Sequence, residues 1–547
     1  FDPANHSAHR FLSDTYANTP RHEIARVSEL LQAQLLQPVN VNPVQPHMAV
    51  ADLNIITGTS PSAVGFNEFA PLMERNKPQV VASGVVGSNS TIGNEVVASV
   101  LYDKASISMG QFHYENNGFR PNNDQKHNIY NVFMQYALTP RLNVQAELRK
   151  RESEYGDLLM NFDRNSFREF RREVNEDIAR AGARYALSHD QDLLFNTKFV
   201  NRKGRLSDTD GYQIELQHLF RKNYFNSTIG GGIHRFTFQE IDENTHLNKD
   251  NAYIYTNANF LSNLIATFAL SYDSRSRIGI DQRSKVNINP KFGLQWDLTD
   301  KFRLRAAWIN TTKSPLVAQQ TLEPTQVAGF NQFFDDPNGT QVQRMGIALD
   351  HRFSNELYSG IEASKRDLKV PYPSTNIDSI GNEAIEKQTE QLYRAYLYWA
   401  LHAAWVMRGE FEYEQFSRKA GNLSVSDPVR IQTLSAPFNI EYFNASGLFA
   451  RFATTFVAQD LIRKEVIDGN VVKGHTKEQN SGFDSFFLLD ASIGYRLPRR
   501  RGMVNFEVRN LLNEDFFYRT QNFYTSEPVN PRYIPERTIF LRLTLNF

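Results

Sequence analysis

Seven charged residues sit at alternate positions within otherwise apolar runs: Glu147 and Arg149, Arg303 and Arg305, Glu507 and Arg509, and Arg542. In an extended chain residues i and i+2 share a face, so each pair projects to one side while aliphatic residues project to the other. Such rows can hold a polar solute, or they can brace one another as ion pairs; for any single residue the bracing role carries more weight. Two further stretches combine rings with charge. "NQFFDDPNG" (331–339) contains Phe333, Phe334, Asp335 and Asp336, and "FFYRTQNFY" (516–524) contains Phe516, Phe517 and Tyr518. Both are expected in extracellular loops, where exposed rings would contact a ligand or partner. The two aspartates read as a surface turn in preference to a calcium site.

No nucleophile elbow, phosphate loop or His-Glu-x-x-His sequence is present. The 13 His residues are scattered; His113, His218 and His402 fall in strands, as interface or lumen residues rather than metal ligands. Cysteine is absent, which removes disulfides, thiolate metal sites and a cysteine nucleophile together. The Gly-Gly-Gly at 230–232 suits barrel curvature or a close backbone approach, and the Arg run at 499–501 suits a solvated turn. No enzyme, metal site or cofactor is therefore assigned. Lys plus Arg and Asp plus Glu both count 60, so no basic field points to nucleic acid.

The elements that must position these residues are strands. From Gln79 onward the period is two: Leu142, Val144, Ala146 and Leu148 alternate with Asn143, Gln145, Glu147 and Arg149. Roughly 22 such runs follow, most of about 10 to 15 residues, longer than soluble strands. The links between them alternate in length. "YDKA" (102–105), "LTPRL" (138–142), "LTDKF" (298–302) and "FSNEL" (353–357) are tight, whereas 152–167, 314–341, 369–388, 462–483 and 514–536 are long and polar. A soluble sandwich has no reason for that asymmetry; an outer-membrane barrel has short periplasmic turns and long external loops. Only 41% of residues are apolar and no run reaches the roughly 18 residues of a membrane helix, so strands must do the spanning. The expected fold is thus all-β, a closed antiparallel transmembrane barrel over 79–547. Pro290 and Pro437 fall inside its strands, where a bulge or a later start is expected. The chain opens at Phe1 without an initiator Met, as a processed or truncated product would.

The last stretch, "RTIFLRLTLNF", sets Leu541, Leu543, Leu545 and Phe547 on one face, and Leu543, Leu545 and Phe547 are expected to form a terminal signal for the barrel assembly machinery. At the front, two helical stripes over 1–38, with Ala8, Leu12, Tyr16, Ala25 and Pro38, resemble a tetratricopeptide unit. That unit is expected in the periplasm, recruiting protein partners. Residues 39–78, rich in Pro, Asn, Ser and Gly, read equally as a linker or a partial plug.

"VNFEVRNLLNEDFFYR" (504–519) and "RYIPERTIFLRLTLNF" (532–547) resemble the end of TonB-dependent receptor barrels, and 321–368 resembles a mid-barrel hairpin of the same family. The resemblance implies a bacterial outer-membrane location, among outer-membrane lipid and lipopolysaccharide. The chain departs from the family in its front: about 40 irregular residues stand where a plug of well over a hundred is usual, and no TonB box is visible. The helical front resembles that of exopolysaccharide secretion channels. The leading expectation is accordingly an export channel or anchor for a polymer, polypeptide or appendage. An uptake receptor with a reduced plug is the alternative, and a structural barrel anchoring an extracellular assembly is a third.

Overall fold

The computed structural model describes residues 29–39 and 76–547, except 163–164, 166, 206–207, 240–243, 279–282, 317–319, 335, 374–382, 419–427, 464, 468–469, 473–480 and 521–531. Among the described residues one helix, α1 (Glu29–Leu36), precedes the strands. The first eleven are β1 (Lys77–Gly87), β2 (Thr91–Tyr102), β3 (Ala105–Asn116), β4 (Gln125–Thr139), β5 (Leu142–Tyr155), β6 (Arg172–Ser188), β7 (Gln191–Gly204), β8 (Asp208–Arg221), β9 (Phe225–Gln239), β10 (Asn244–Leu261) and β11 (Leu264–Ile278). The second eleven are β12 (Arg283–Thr299), β13 (Phe302–Thr312), β14 (Gln341–Arg352), β15 (Leu357–Pro373), β16 (Glu383–His402), β17 (Trp405–Arg418), β18 (Pro428–Phe443), β19 (Leu448–Arg463), β20 (Ser481–Leu497), β21 (Gly502–Arg509) and β22 (Thr538–Asn546). They form one 22-stranded antiparallel sheet, closed where β1 pairs with β22 from Val81↔Asn546 to Gly87↔Phe540.

Closure follows from the solvent on each side. An open edge facing lipid would leave backbone N–H and C=O groups unpaired at several kcal/mol each, and a sealed cylinder has no edge. The alternation fixes the faces. On β5 Leu148 is 62% exposed on the outside, whereas Gln145 and Arg151 are buried within. Tyr102, Phe302 and Phe353 stand exposed beside the tight turns, where aromatic rings suit a membrane–water boundary. Asn89 and Ser90, between β1 and β2, both have positive φ (56° and 54°), the backbone that lets a two-residue turn follow the twist of its strands.

The expected bulges at the two prolines do not occur. Leu270↔Pro290 and Pro437↔Thr455 are ordinary rungs on one side. On the other side each proline lacks the N–H that pairing needs. The β12–β13 ladder stops at Lys291↔Ile309, and the β17–β18 ladder skips from Gly409↔Phe438 to Glu412↔Ser435. The register survives; only rungs are lost.

Candidate functional site in the lumen

All seven charged residues predicted for the lumen lie on the inward face, but in separate sectors: β5, β13, and β21 with β22. Most are braced locally. Arg180 Nε donates to Glu147 Oε2 at 2.9 Å, Arg303 Nε to Asp297 Oδ1 at 2.5 Å, and Arg509 Nε to Glu507 Oε1 at 2.6 Å. Arg305 grips Asp350 with two N–H groups, at 2.6 and 3.1 Å. Arg149 and Arg542 share the inner face with these pairs. No single binding constellation emerges from the seven.

The loop residues are placed differently from the expectation. The described residues of 313–340, between β13 and β14, fold down into the barrel instead of standing outside it. Phe334 is buried, with the Arg366 guanidinium 3.6 Å from its ring centre, and Asp336 accepts from Arg366 at 2.5 Å. Phe333 is half-buried beside them and Asp335 lies outside the described residues. Asp336 is thus bound to an arginine inside the barrel; it is not a surface turn. Burial and the neighbouring Glu390 push its carboxyl above the ordinary range, while Arg366 opposes them.

The same segment also reaches the inner face of β8 and of β10 to β12. Lys291 Nζ donates to Glu323 Oε1 at 2.9 Å and to Ser271 Oγ at 2.8 Å, and Tyr255 Oη donates to Glu323 Oε1 at 2.7 Å. Glu323 is held below the usual carboxylate range: burial raises it, and the Lys291 ammonium, the Tyr255 hydroxyl and Lys249 outweigh that. On β8, Glu215 accepts from the Leu322 N–H at 3.1 Å and from the Thr321 hydroxyl. Phe330, 1% exposed, packs on Ala307, Ile309 and Ala348 of the inner wall, and a Cβ at Gly346 would meet its ring at 2.4 Å.

Helix α1 meets this insert. Leu31, Leu35 and Leu36 join Leu194, Leu219 and Leu322 in one buried cluster. Gln32 Nε2 donates to the Leu322 carbonyl at 3.1 Å and to Gln217 Oε1 at 3.2 Å; Gln37 Nε2 donates to Gln135 Oε1 at 3.0 Å. A Cβ at Gly182 would stand 2.6 Å from a Leu35 methyl, so only glycine lets the helix lie this close to β6. The helix therefore rests against the inner wall of β4 to β8, inside the barrel, where the expectation had a periplasmic module. Residues 1–28, needed for a tetratricopeptide pairing, and 40–75, most of the linker or plug stretch, lie outside the described residues.

Described residues of a second pair of loops pack together on β19 and β20. Met160 of the β5–β6 link packs with Val457, Phe486, Leu488, Phe516, Tyr518 and Tyr533, and Asn161 bridges Arg519. Phe516 is 1% exposed and stacks on Phe486 at 3.8 Å. Phe517 alone of the three predicted loop aromatics stays exposed, 6.0 Å from the Phe162 ring. Burial pushes the Tyr533 hydroxyl up to about 12.

The sequence reading missed the insert, yet a signal for it existed. Phe133, Leu194, Leu219, Tyr253, Tyr255 and Ile309 face inward and are buried, although a wet lumen would favour polar side chains there. Apolar residues on the supposedly wet face mean that protein covers them.

Fold and site together define a transmembrane barrel whose lumen holds α1 and much of the insert against its inner wall. Residues 98–378, just over half of the chain, match the family described as TonB dependent receptor-like, beta-barrel, and the chain belongs to that family. No curated protein matches it. Among solved structures the FrpB iron transporter from Neisseria meningitidis is similar at TM-score 0.64 and 13% identity, covering 87% of this chain and 82% of that one. The copper transporter OprC is similar at TM-score 0.63 and 11% identity, with 86% and 81% covered. The ferric-catecholate import receptor Fiu from K12 E. coli is similar at TM-score 0.60 and 11% identity, with 86% and 82% covered. At such identities the likeness concerns the fold. The chain is an outer-membrane barrel of this receptor-like family, and the family favours the uptake alternative over the export channel or anchor.

Proposed function

We propose that this protein is an outer-membrane uptake receptor whose lumen is gated by the 313–340 insert and by α1. One observation carries the reading: the insert is tied to the inner wall by buried ion pairs and hydrogen bonds from β8 to β15. An export conduit for a polymer or appendage would need that space open. The cargo we infer is a small metal complex. This rests on the similar structures, which are iron, copper and ferric-catecholate transporters, and on the family.

In this reading solute arrives at the long-loop end, and displacement of α1 breaks the Gln32–Leu322 contact and loosens the insert. The test is planar-bilayer conductance of the full chain beside Gly346→Val, whose side chain must push Phe330 away. The wild type should conduct weakly and the variant several-fold more. A wild type that already conducts like an open channel would defeat the gating reading. Calorimetric titration with ferric and cupric chelates, against the metal-free chelators, tests the cargo separately.

A further inference from the structure

The insert grows out of a stretch of wall that is only partly zipped. β12 keeps its rungs to β11 as far as Arg277↔Arg283, and β13 keeps its rungs to β14 as far as Thr312↔Gln341. Between β12 and β13 the ladder stops lower, at Lys291↔Ile309. Pro290, the next residue of β12, has no N–H with which to continue it. Two side-chain hydrogen bonds span the seam beyond that point: Gln341 Nε2 donates to Asn287 Oδ1 at 2.7 Å, and the Thr312 hydroxyl donates to Asn289 Oδ1 at 3.3 Å. A hollow of about 730 Å³ lies along the seam, bordered by Asn287 and Asn289 on one side and by Asn310, Thr312, Gln341 and Gln343 on the other. The head of the β13–β14 hairpin thus has space beside it and no backbone rung to β12.

Both ends of the insert are fixed to that head. Lys313 donates its N–H to the Thr340 carbonyl at 2.8 Å and accepts from the Gly339 N–H at 2.7 Å, so the pairing of β13 with β14 runs on into the root of the insert. Head and root are one body. The two residues of the last β12–β13 rung each carry an anchor of the insert as well: Lys291 holds Glu323 at 2.9 Å, and Ile309, 1% exposed, packs in the cluster that contains Phe330. The wall stops being zipped at the point where the insert is latched.

We propose that the β13–β14 head is a hinged flap that turns about the Lys291–Ile309 rung and carries the insert out of the lumen toward the long-loop end. The flap rests on the gating reading and gives it a direction: release of Glu323 and Phe330 frees the head, whose swing parts Gln341 from Asn287 and Thr312 from Asn289. A ladder zipped along the whole of β13 would fix the root and leave only the middle of the insert free to bend.

Paired nitroxide labels test it, because the chain has no cysteine of its own. Ile254, Leu270 and Pro290 lie in one row across β10 to β12, and Asn310 with Gln343 extends that row beyond the seam. Labels at Ile254→Cys and Gln343→Cys are therefore four strand spacings apart, about 19 Å. Ala258→Cys with Ile347→Cys spans the same four spacings across unbroken rungs. Pulsed EPR should give one short distance for each pair in the parent. With Gly346→Val added, the first pair should gain a population longer by at least one strand spacing, about 5 Å, and the second pair should not. Asn289→Cys with Thr312→Cys, once oxidised, should hold Gly346→Val at the weak wild-type conductance, and reduction should restore the several-fold increase. Heat-modifiable migration on gels reports that each barrel is folded. A single short distance for the first pair in a folded Gly346→Val barrel, or an oxidised tether that leaves raised conductance in place, would overturn the flap. A long population without raised conductance would uphold the flap and overturn the gating reading alone.

Discussion

Glu323 is the residue on which the insert turns, because one carboxylate receives both the Lys291 ammonium and the Tyr255 hydroxyl away from water. Replacing it with Gln leaves Lys291 buried without its counter-charge, a change worth about 3–5 kcal/mol in comparable buried pairs. The insert should detach, and Glu323→Gln should conduct several-fold more than the weakly conducting wild type at neutral pH. The same group predicts acid behaviour. A carboxyl held below its unfolded value contributes stability above that value and loses it as pH falls through the depressed one. Wild-type conductance should therefore rise only below roughly pH 4.3, the ordinary value for Glu. Asp336 runs the other way: raised by burial, it favours the folded form as it takes up a proton. Glu323→Gln should abolish the acid step; a step of unchanged size in that variant would assign it elsewhere.

Among the elements, α1 and the insert form one unit through Leu322. Gly182→Val places a branched side chain where Leu35 lies and should expel the helix while β6 keeps its ladders to β5 and β7. The chain has no cysteine, so Gln34→Cys introduces a unique thiol. A bulky aqueous maleimide should label it slowly in the parent and at least about tenfold faster beside Gly182→Val; equal rates would show that the helix is not docked there. Elements were the most legible level of the sequence. Alternation such as Leu142 to Arg149 made the two faces of each strand readable, since a strand's period of two depends only on local geometry. The 313–340 insert was illegible because "NQFFDDPNG" looks the same whether its rings meet solvent or Arg366. Only long-range contacts distinguish the two. The prolines show the same limit: their missing N–H was evident, but whether the strand would bulge or merely drop a rung depends on the neighbours.

At the scale of the whole molecule the barrel joins residues far apart in the chain. Seven rungs link β1 to β22, against eleven between β1 and β2, and Val80 and Phe547 exchange two further backbone hydrogen bonds, at 3.1 and 2.9 Å. Leu543 and Phe547 point outward and are exposed, as an external assembly factor would require, and we propose that the terminal signal is read there. Removing residues 540–547 deletes most of this seam together with the signal. Heat-modifiable folded barrel should fall to a small fraction of wild type, and a Phe547→Ala variant, which keeps the backbone rungs, separates signal from seam. If the truncated chain assembled normally, the seam would carry no such weight.

The seam also has a temporal meaning. Its partners lie more than 450 positions apart, so it bears the greatest entropic cost of any pairing and zips last. Until it does, β1 and β22 offer raw strand edges on which another copy can add. The hazard of intermolecular templating is therefore concentrated in one late interval of biogenesis, and a chaperone that shields only those two margins would protect the whole polypeptide.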